Sequence, residues 1–416
     1  MSEWEKIKLK HLTTKIGSGA TPKGGQEAYH DSGISLIRSQ NVLDFEFSSN
    51  GLAFIDKDQA QKLINVLVEE DDVLLNITGD SVARVCKVPS GILPARVNQH
   101  VSIIRADNQK VDSSFLLYFL LNPVFKMYLL RLASDGATRN ALTKSDLENL
   151  LILVPSLEEQ KSVADVLSSL DRKISNLRQQ NETLEKIAQT LFKHWFVDFE
   201  FPNEDGKPYK SSGGDMVRSE LGEIPAGWQV GELGNIGKNI RDGISEDEIQ
   251  PDMNYIALEH MPRKQIALDS WDTAADIASN KFIFKKGNIL FGKLRPYFHK
   301  VGIAFISGIC STDILVLDSK RKDLFSFLLM VLSSDEFIKY VTLASEGTRM
   351  PRTSWEYMKE YPIYIPDNSV VSAFNDLVKA STNKIENNVF QIQTLTQIRD
   401  VLLPKLMSGK LRITAS

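Results

Sequence analysis

Cysteine is nearly missing from this chain. Cys86 and Cys310 are its only two, one in each half. Two so far apart make neither a disulfide framework nor a zinc site, and they suit a reduced compartment. Long apolar runs are missing as well. No stretch approaches the roughly eighteen uninterrupted apolar residues of a membrane helix. The start, MSEWEKIKLK, has no apolar core of signal-peptide type. The expectation is a cytoplasmic protein with no membrane contact. A strong charge of either sign is lacking too. Against 49 basic residues stand 53 acidic ones, for a net charge of -4. Binding to a polyanion would have to rest on local basic patches.

Catalytic signatures are equally scarce. GSGATPKGG at Gly17 lacks the Gly-Lys-Ser/Thr ending of a P-loop and the Gly-x-Gly-x-x-Gly spacing, so it reads first as a structural turn. The six histidines lie far apart and form no ligand pair at helical spacing. No Gly-x-Ser-x-Gly elbow occurs. LNPVF at Leu121 is only a distant echo of an amino-methyltransferase tetrapeptide. No pair of carboxylates is marked out by its context. The chain reads as non-catalytic, with no metal site and no cofactor of its own.

What the chain does have is a repeat. ASDGATRNALTKSDLENLLILVP begins at Ala133, and ASEGTRMPRTSWEYMKEYPIYIP begins at Ala344. Ala133 pairs with Ala344, Gly136 with Gly347, Arg139 with Arg349, Thr143 with Thr353 and Pro155 with Pro366, at offsets of 210 or 211. The pairing continues through Lys173-Ile174 and Lys384-Ile385 to Leu191 and Leu402. Upstream it loosens. DVLLN at Asp72 resembles GNILF at Gly287, and VSIIR at Val101 resembles DILVL at Asp313, all short apolar runs of strand type. FLLYFLLN and SFLLMVLSS follow as helical patterns. A period this long is a duplicated domain rather than a solenoid.

Each repeat ends in a long helix. Ser156, with Glu159 three residues on, forms a capping-box signature. An apolar seam then runs through Val163, Leu167, Leu170, Ile174, Leu177, Asn181, Leu184, Ala188, Leu191 and Trp195, spaced alternately by four and three. The second helix offers Phe374, Val378, Ile385, Val389, Ile392, Leu395, Leu402 and Leu406, with Ser381 at a seam position and Pro404 near the end. Such a seam suits a homodimer zipper, but two equivalent helices in one chain favour antiparallel pairing within it. A helix of roughly forty residues is about 60 Å long. The expected class is α+β: two mixed α/β domains separated by two long helices packed as an antiparallel coiled coil. The expected segments are a first domain at 1–155, a central helix at 156–200, an exposed linker at 201–227, a second domain at 228–366, and a helix with its tail at 367–416.

Basic and aromatic residues interleave in KFIFKKGNILFGKLRPYFHK, from Lys281 to Lys300, with no acid among them. Cations without acids attract phosphate, and arginine can read base edges. The run reads equally as a half-buried strand pair with solvated lysines. The repeated motif supplies Thr138, Arg139, Thr143 and Lys144 in one half, and Thr348, Arg349, Arg352 and Ser354 in the other. Glycine, hydroxyl and arginine together suit close backbone approach to a phosphate. Thr143 with Asp146, and Thr353 with Glu356, look like N-caps. A loop that merely closes each domain is the plainer alternative. Base-reading candidates are Ser39, Gln40, Asn41, Thr78 and Asp80 in the first half, and Glu259, His260, Lys293, Arg295 and Tyr297 in the second.

With these motifs in order, the chain resembles the specificity subunit of type I restriction-modification systems, HsdS. KIGSGATPKGG, GATRNALTKSDLENLLILVPSLEEQ, LFKHWFVDFE, ELGEIPAGWQVGELG and LLPKLMSGKL carry the resemblance, which covers essentially the whole chain. It implies two target-recognition domains, each reading half of a bipartite double-stranded DNA target, with the coiled coil setting the gap. Half-sites read from one face of B-DNA lie about 34 Å apart or a multiple of it. It implies no active site in the chain itself. Two modification subunits use S-adenosylmethionine to methylate adenine, and restriction subunits use ATP and magnesium. A coiled-coil scaffold that binds only proteins, without direct DNA readout, is the rival reading.

Overall fold

The computed structural model describes residues 4–22, 24–134, 140–343 and 350–413. Its contacts divide the chain into two compact units, Met1–Ile174 with Leu395–Ser416, and Ser175–Thr394. Thr138, Arg139, Thr348 and Arg349 lie outside the described residues, as do the glycines of the repeated motif.

The first unit is built on a four-stranded antiparallel sheet in the order Thr13–Ser18, Val101–Ala106, Val73–Asn76, Val85–Lys87. The strand VLLN is buried along its whole length. Alternation sends its side chains to two different cores. Val73 and Leu75 pack with the helix Ser113–Leu121, while Leu74 packs into a second cluster with Leu36, Ile55 and Val97. Those three sit in the second sheet, ordered Ala53–Ile55, Ile34–Ile37, Ala95–Val97, Leu67–Val68, whose middle pair is parallel. The unit is therefore helix, sheet and sheet in layers, and the apolar runs VLLN and VSIIR are strands because both faces are covered. Gly19 belongs to the turn of GSGATPKGG. A Cβ there would lie 1.7 Å from the carbonyl oxygen of Val97. That close backbone approach accounts for the glycine without a phosphate.

The second unit repeats the plan. Its first sheet runs Gly237–Ile240, Ile314–Ser319, Ile289–Gly292, Val301–Ile303. Ile289 and Phe291 face the core that holds the helix Phe325–Leu332, and Leu290 faces the other core. The second sheet again contains one parallel pair, Asn254–Ile256 with Gly308–Cys310, and carries one strand more than its counterpart. In each unit a two-stranded ladder closes the module: Glu5–Lys8 with Leu151–Val154, and Gln229–Glu232 with Pro362–Ile365. Both cysteines are buried and free, and burial pushes each thiol up to about 12.

Residues 201–227, expected as an exposed linker, contain a hairpin of Met216–Ser219 with Gly222–Pro225. Phe201 stacks on Tyr209 and on Trp228. The aromatics that flank the Gly- and Ser-rich stretch tie it down.

The first long helix is Leu157–Phe192, and Glu159 N–H donates to Ser156 Oγ at its start. A π-helical turn, Lys193–Val197, follows and turns both Trp195 and Phe196 inward. The second long helix is Asn368–Met407. Within the first unit Asp171 meets Arg399, and Glu159 lies near Arg412. Within the second unit Asn181 meets Asn388, and Phe192 lies near Phe374. In both, one helix number rises as the other falls, so the pairing is antiparallel. Val163, Leu167, Ile174, Leu177, Phe374, Val378, Ile385 and Ile392 are buried, and Leu170, Leu184 and Leu191 are half-buried. Leu395 and Leu402 are half-buried as well, and Leu402 packs against the first unit's core. The buried ridge passes through Ile385, Ile392, Arg399 and Leu406, with Leu403 beside it. A charged residue at a heptad position hid this register.

Candidate nucleic-acid interface

In the second unit the strand Ile289–Gly292 runs into a short stitch that joins two separate sequence motifs. Thr353 N–H donates to Lys293 O at 3.0 Å, and Arg295 N–H donates to Pro351 O at 2.7 Å. Leu294 and Arg352 form the bridge between them. Lys293, Arg295, Arg352 and Ser354, far apart in sequence, therefore share one place. Arg295 has φ 50° and ψ 64°, a left-handed conformation that costs an L-residue about 1–2 kcal/mol. Pro296 follows and narrows its choices further. Its Nε is buried with no hydrogen-bond partner. Tyr297 beside it is 49% exposed. Arg352 is exposed and lies 3.3 Å from Asp313.

The first unit has the same stitch. Leu142 N–H donates to Ile77 O at 2.8 Å, Gly79 N–H donates to Asn140 O at 2.9 Å, and Thr78 bridges to Ala141. Thr78 thus corresponds to Leu294, and Gly79 to Arg295. Gly79 is also left-handed, at φ 74°. Thr78 Oγ1 is taken up by His100 Nδ1 at 2.6 Å, while Asp80 is exposed.

A second pair of corners matches as well. Arg38 N–H donates to Asn41 Oδ1 at 3.0 Å, and Ala257 N–H donates to His260 Nδ1 at 2.9 Å. Each side chain closes a one-turn 3-10 helix, Ser39–Asn41 or Leu258–His260. Asn41 is fully buried and also donates to Ser48 O, so it cannot read a base. His260 accepts at Nδ1, which leaves its Nε2–H for Asp272, 3.1 Å away. The exposed residues of these two corners are Gln40 and Glu259, and Ser39 is half-buried.

The basic run does not form one patch. Lys281 is buried against Ser279, and burial lowers its pKa. Lys286 pairs with Glu386, and Lys300 donates to Leu258 O. Phe284 and Phe291 belong to the core. Among the described residues Lys293 and Arg295 have no side-chain hydrogen bond or ion pair, and both are half-buried at the stitch.

One of the two expected caps is in place, and the other is shifted by one residue. Thr143 closes a full capping box with Asp146 ahead of Lys144–Asn149, so the carboxylate of Asp146 already occupies the helix start. Lys144 is exposed, 3.6 Å from Glu148. In the second unit the cap is Ser354, which accepts from Tyr357 N–H at 3.3 Å. Thr353 is buried instead, with its hydroxyl unpartnered, and Glu356 pairs with Lys359. The stitch aligns Leu142 with Thr353, one residue off the sequence pairing. Sequence reading also missed Arg38, which lies over the Tyr29 ring at 5.1 Å, and Arg263, 4.0 Å from the centre of the Phe298 ring. Neither contact leaves a local sequence signal, because the partners are remote in the chain. Among the described residues no group of three or more His, Cys, Asp or Glu could hold a metal ion, and no single helix is long and apolar enough to cross a membrane.

An α+β module built twice, each copy with a stitched corner and differing exposed side chains, defines an internally duplicated protein of recognition type. The chain belongs to the family of the type I restriction modification DNA specificity domain, whose model matches residues 1–186 and 225–391. It is 29% identical to the type I restriction enzyme MjaIX specificity subunit of Methanocaldococcus jannaschii, over 99% of this chain and 94% of that one. It is 23% identical to the HindI specificity subunit of Haemophilus influenzae, over 99% and 100%. The fold matches the crystal structure of a type I restriction-modification S subunit from M. genitalium at a TM-score of 0.57 and 15% identity, covering 99% and 97%.

Proposed function

We propose that this chain is the specificity subunit of a type I restriction-modification complex and that each unit reads one half of a bipartite DNA target. The observation that carries this reading is the stitched corner built twice, Thr78–Gly79 with Asn140–Leu142 and Leu294–Arg295 with Pro351–Thr353. The backbone scaffold is shared, and the side chains it presents are not. In the second unit Lys293, Arg295, Tyr297 and Arg352 supply cation, planar donor and aromatic face, the groups that hold phosphates and read bases. In the first unit Gln40 and Asp80 are the exposed polar groups of the matching corners.

The chemistry belongs to partners. Modification subunits supply S-adenosylmethionine and act on an adenine taken out of the stack, and restriction subunits supply ATP and magnesium. A feature of the long helices supports two copies of one partner. Lys173, Asn176, Gln180, Thr183 and Ile187 recur as Lys384, Asn387, Gln391, Thr394 and Ile398, and all are exposed except half-buried Gln180. Three buried seam positions have diverged, Leu177 to Asn388, Asn181 to Ile392 and Ala188 to Arg399, while Ile174 and Ile385 stay alike. Packing constrains buried residues and leaves exposed ones free. Identity at these outward pairs therefore favours a surface used twice.

Methylome sequencing of a host that expresses this chain with its modification subunit tests the reading. Adenine methylation should appear at one bipartite motif. Unchanged methylation from an assembled complex refutes it. A gel shift of that complex on target and random duplexes across salt separates DNA readout from a protein-only scaffold.

A further inference from the structure

We propose that Arg295 is a specificity-determining residue of the second unit and that it takes the major-groove edge of a guanine. The inference rests on the DNA-reading function above and names what that corner recognises.

Three observations converge on it. Arg295 holds a left-handed backbone where its counterpart in the first unit is Gly79. The fold therefore needs that conformation in both units, and glycine meets the need without strain. An arginine kept there has a use for its side chain. Next, its buried Nε–H has no acceptor, and no carboxylate pairs with its guanidinium among the described residues. The nearby acid, Asp313, faces Arg352 instead. A buried donor without a partner is costly, and a ligand that accepts from it removes the cost. Finally, the stitch fixes the side chain's origin through Arg295 N–H to Pro351 O.

A half-buried arginine on a fixed backbone suits a base better than a phosphate. Phosphate attraction needs only charge, which the exposed Arg352 and half-buried Lys293 can supply. A planar fork that springs from a fixed backbone matches the O6 and N7 acceptors of guanine. The first unit has glycine at this position and cannot make the same contact, so the two half-sites would differ there.

The test uses the purified full chain and a duplex DNA library with a randomised core, followed by sequencing of the bound pool. The wild type should enrich a bipartite motif. R295K should keep that motif except at one G·C pair, where preference falls roughly tenfold or more. R295G should lose the same pair while its melting temperature stays level or rises, because glycine relieves the backbone. Retention of every preferred position in R295K would make Arg295 a charge or packing residue and overturn the inference. So would loss at an A·T pair, or a fall in the melting temperature of R295G with the R295K motif intact. If the wild type enriches no motif, the DNA-reading function itself fails, and that outcome is visible without any variant.

Discussion

Asn388 donates its side-chain amide to Asn181 Oδ1 at 2.8 Å, with both residues buried in the seam between the long helices. A polar pair here fixes which layers of the helices face each other. It is not fully satisfied, since Asn388 Oδ1 has no partner. Replacing one member leaves the other buried and unpaired. Asn181→Leu alone should therefore cost about 1–3 kcal/mol. The double change with Asn388→Leu should recover most of that loss, and denaturant unfolding of the four proteins measures the coupling. Equal losses in the single and double variants would remove the pair from the list of register-setting contacts.

Arg399 extends the same logic to the first unit. Its Nη1 donates to Asp171 Oδ1 at 2.9 Å, and Tyr118 OH donates to Asp171 Oδ2 at 2.6 Å. The guanidinium also lies 3.5 Å from the centre of the Phe45 ring. One carboxylate thus joins the long helix, the core helix and an arginine in the seam. Asp171→Ala should destabilise the first unit by about 1–2 kcal/mol, because it unpairs Tyr118 OH and leaves Arg399 with the more exposed Asp400. Asp171→Ala with Arg399→Met should cost less than Asp171→Ala alone, which chemical denaturation can measure.

The exposed stripe yields a prediction about assembly. Ile187 is 52% exposed and Ile398 is 43% exposed. Neither contributes to the buried seam, so Ile187→Glu and Ile398→Glu should change folding stability by roughly 0.5 kcal/mol or less. If the stripe binds the modification subunit, each variant should lower the number of copies that co-purify by one, as native mass spectrometry would count. Unchanged stoichiometry in both variants would free the stripe of that role.

Much of this was legible in the chain, for identifiable reasons. VLLN, VSIIR, GNILF and DILVL read as strands because alternation and covered faces leave apolar runs, and Ser156 with Glu159 marks a helix start. The stitched corners were not legible. They depend on backbone hydrogen bonds such as Arg295 to Pro351, which no side-chain pattern encodes. Lys293, Arg295, Arg352 and Ser354 belong to two separate motifs, and only the fold brings them together. Asn41 looked like a reader because it is polar in a variable loop, yet it is spent on closing its own turn. Arg399 gives no seam signal in the sequence, because its charge masks a heptad position.

The corrected cap in the second unit predicts an asymmetry between neighbours. Ser354 accepts from Tyr357 N–H, whereas Thr353 is buried with an unpartnered hydroxyl. Ser354→Ala should cost about 1 kcal/mol. Thr353→Val keeps the shape and removes an unsatisfied group, so it should be neutral or stabilising. Thermal unfolding of the two variants decides between them. The reverse order would restore Thr353 as the cap.

Glu185 supplies the pH dependence. It is buried on the first long helix and accepts from the N–H groups of Ile266 and Ala267, each at 3.0 Å. Burial raises its pKa from 4.5 to about 7 against the pull of those two N–H groups, with Glu182 and Asp269 pushing it further up. The unfolded chain releases this proton near 4.5, and the folded one releases it near 7. Between those values the folded state holds a proton that the unfolded state lacks, so stability falls as pH rises through this window and levels off above it. Below about pH 4.5 both states are protonated, and the group's stabilising contribution is fully present. Glu185→Gln does not titrate, and it keeps one acceptor oxygen for the two N–H groups. Its stability should lack the wild type's fall between pH 5 and pH 8, so the difference between the two proteins should shift in the variant's favour across that range, by an amount on the order of 3 kcal/mol at most. Denaturant unfolding of both proteins across that range gives the difference directly. A gap that stays constant with pH would mean that Glu185 is ionised throughout and that its two backbone donors outweigh its burial.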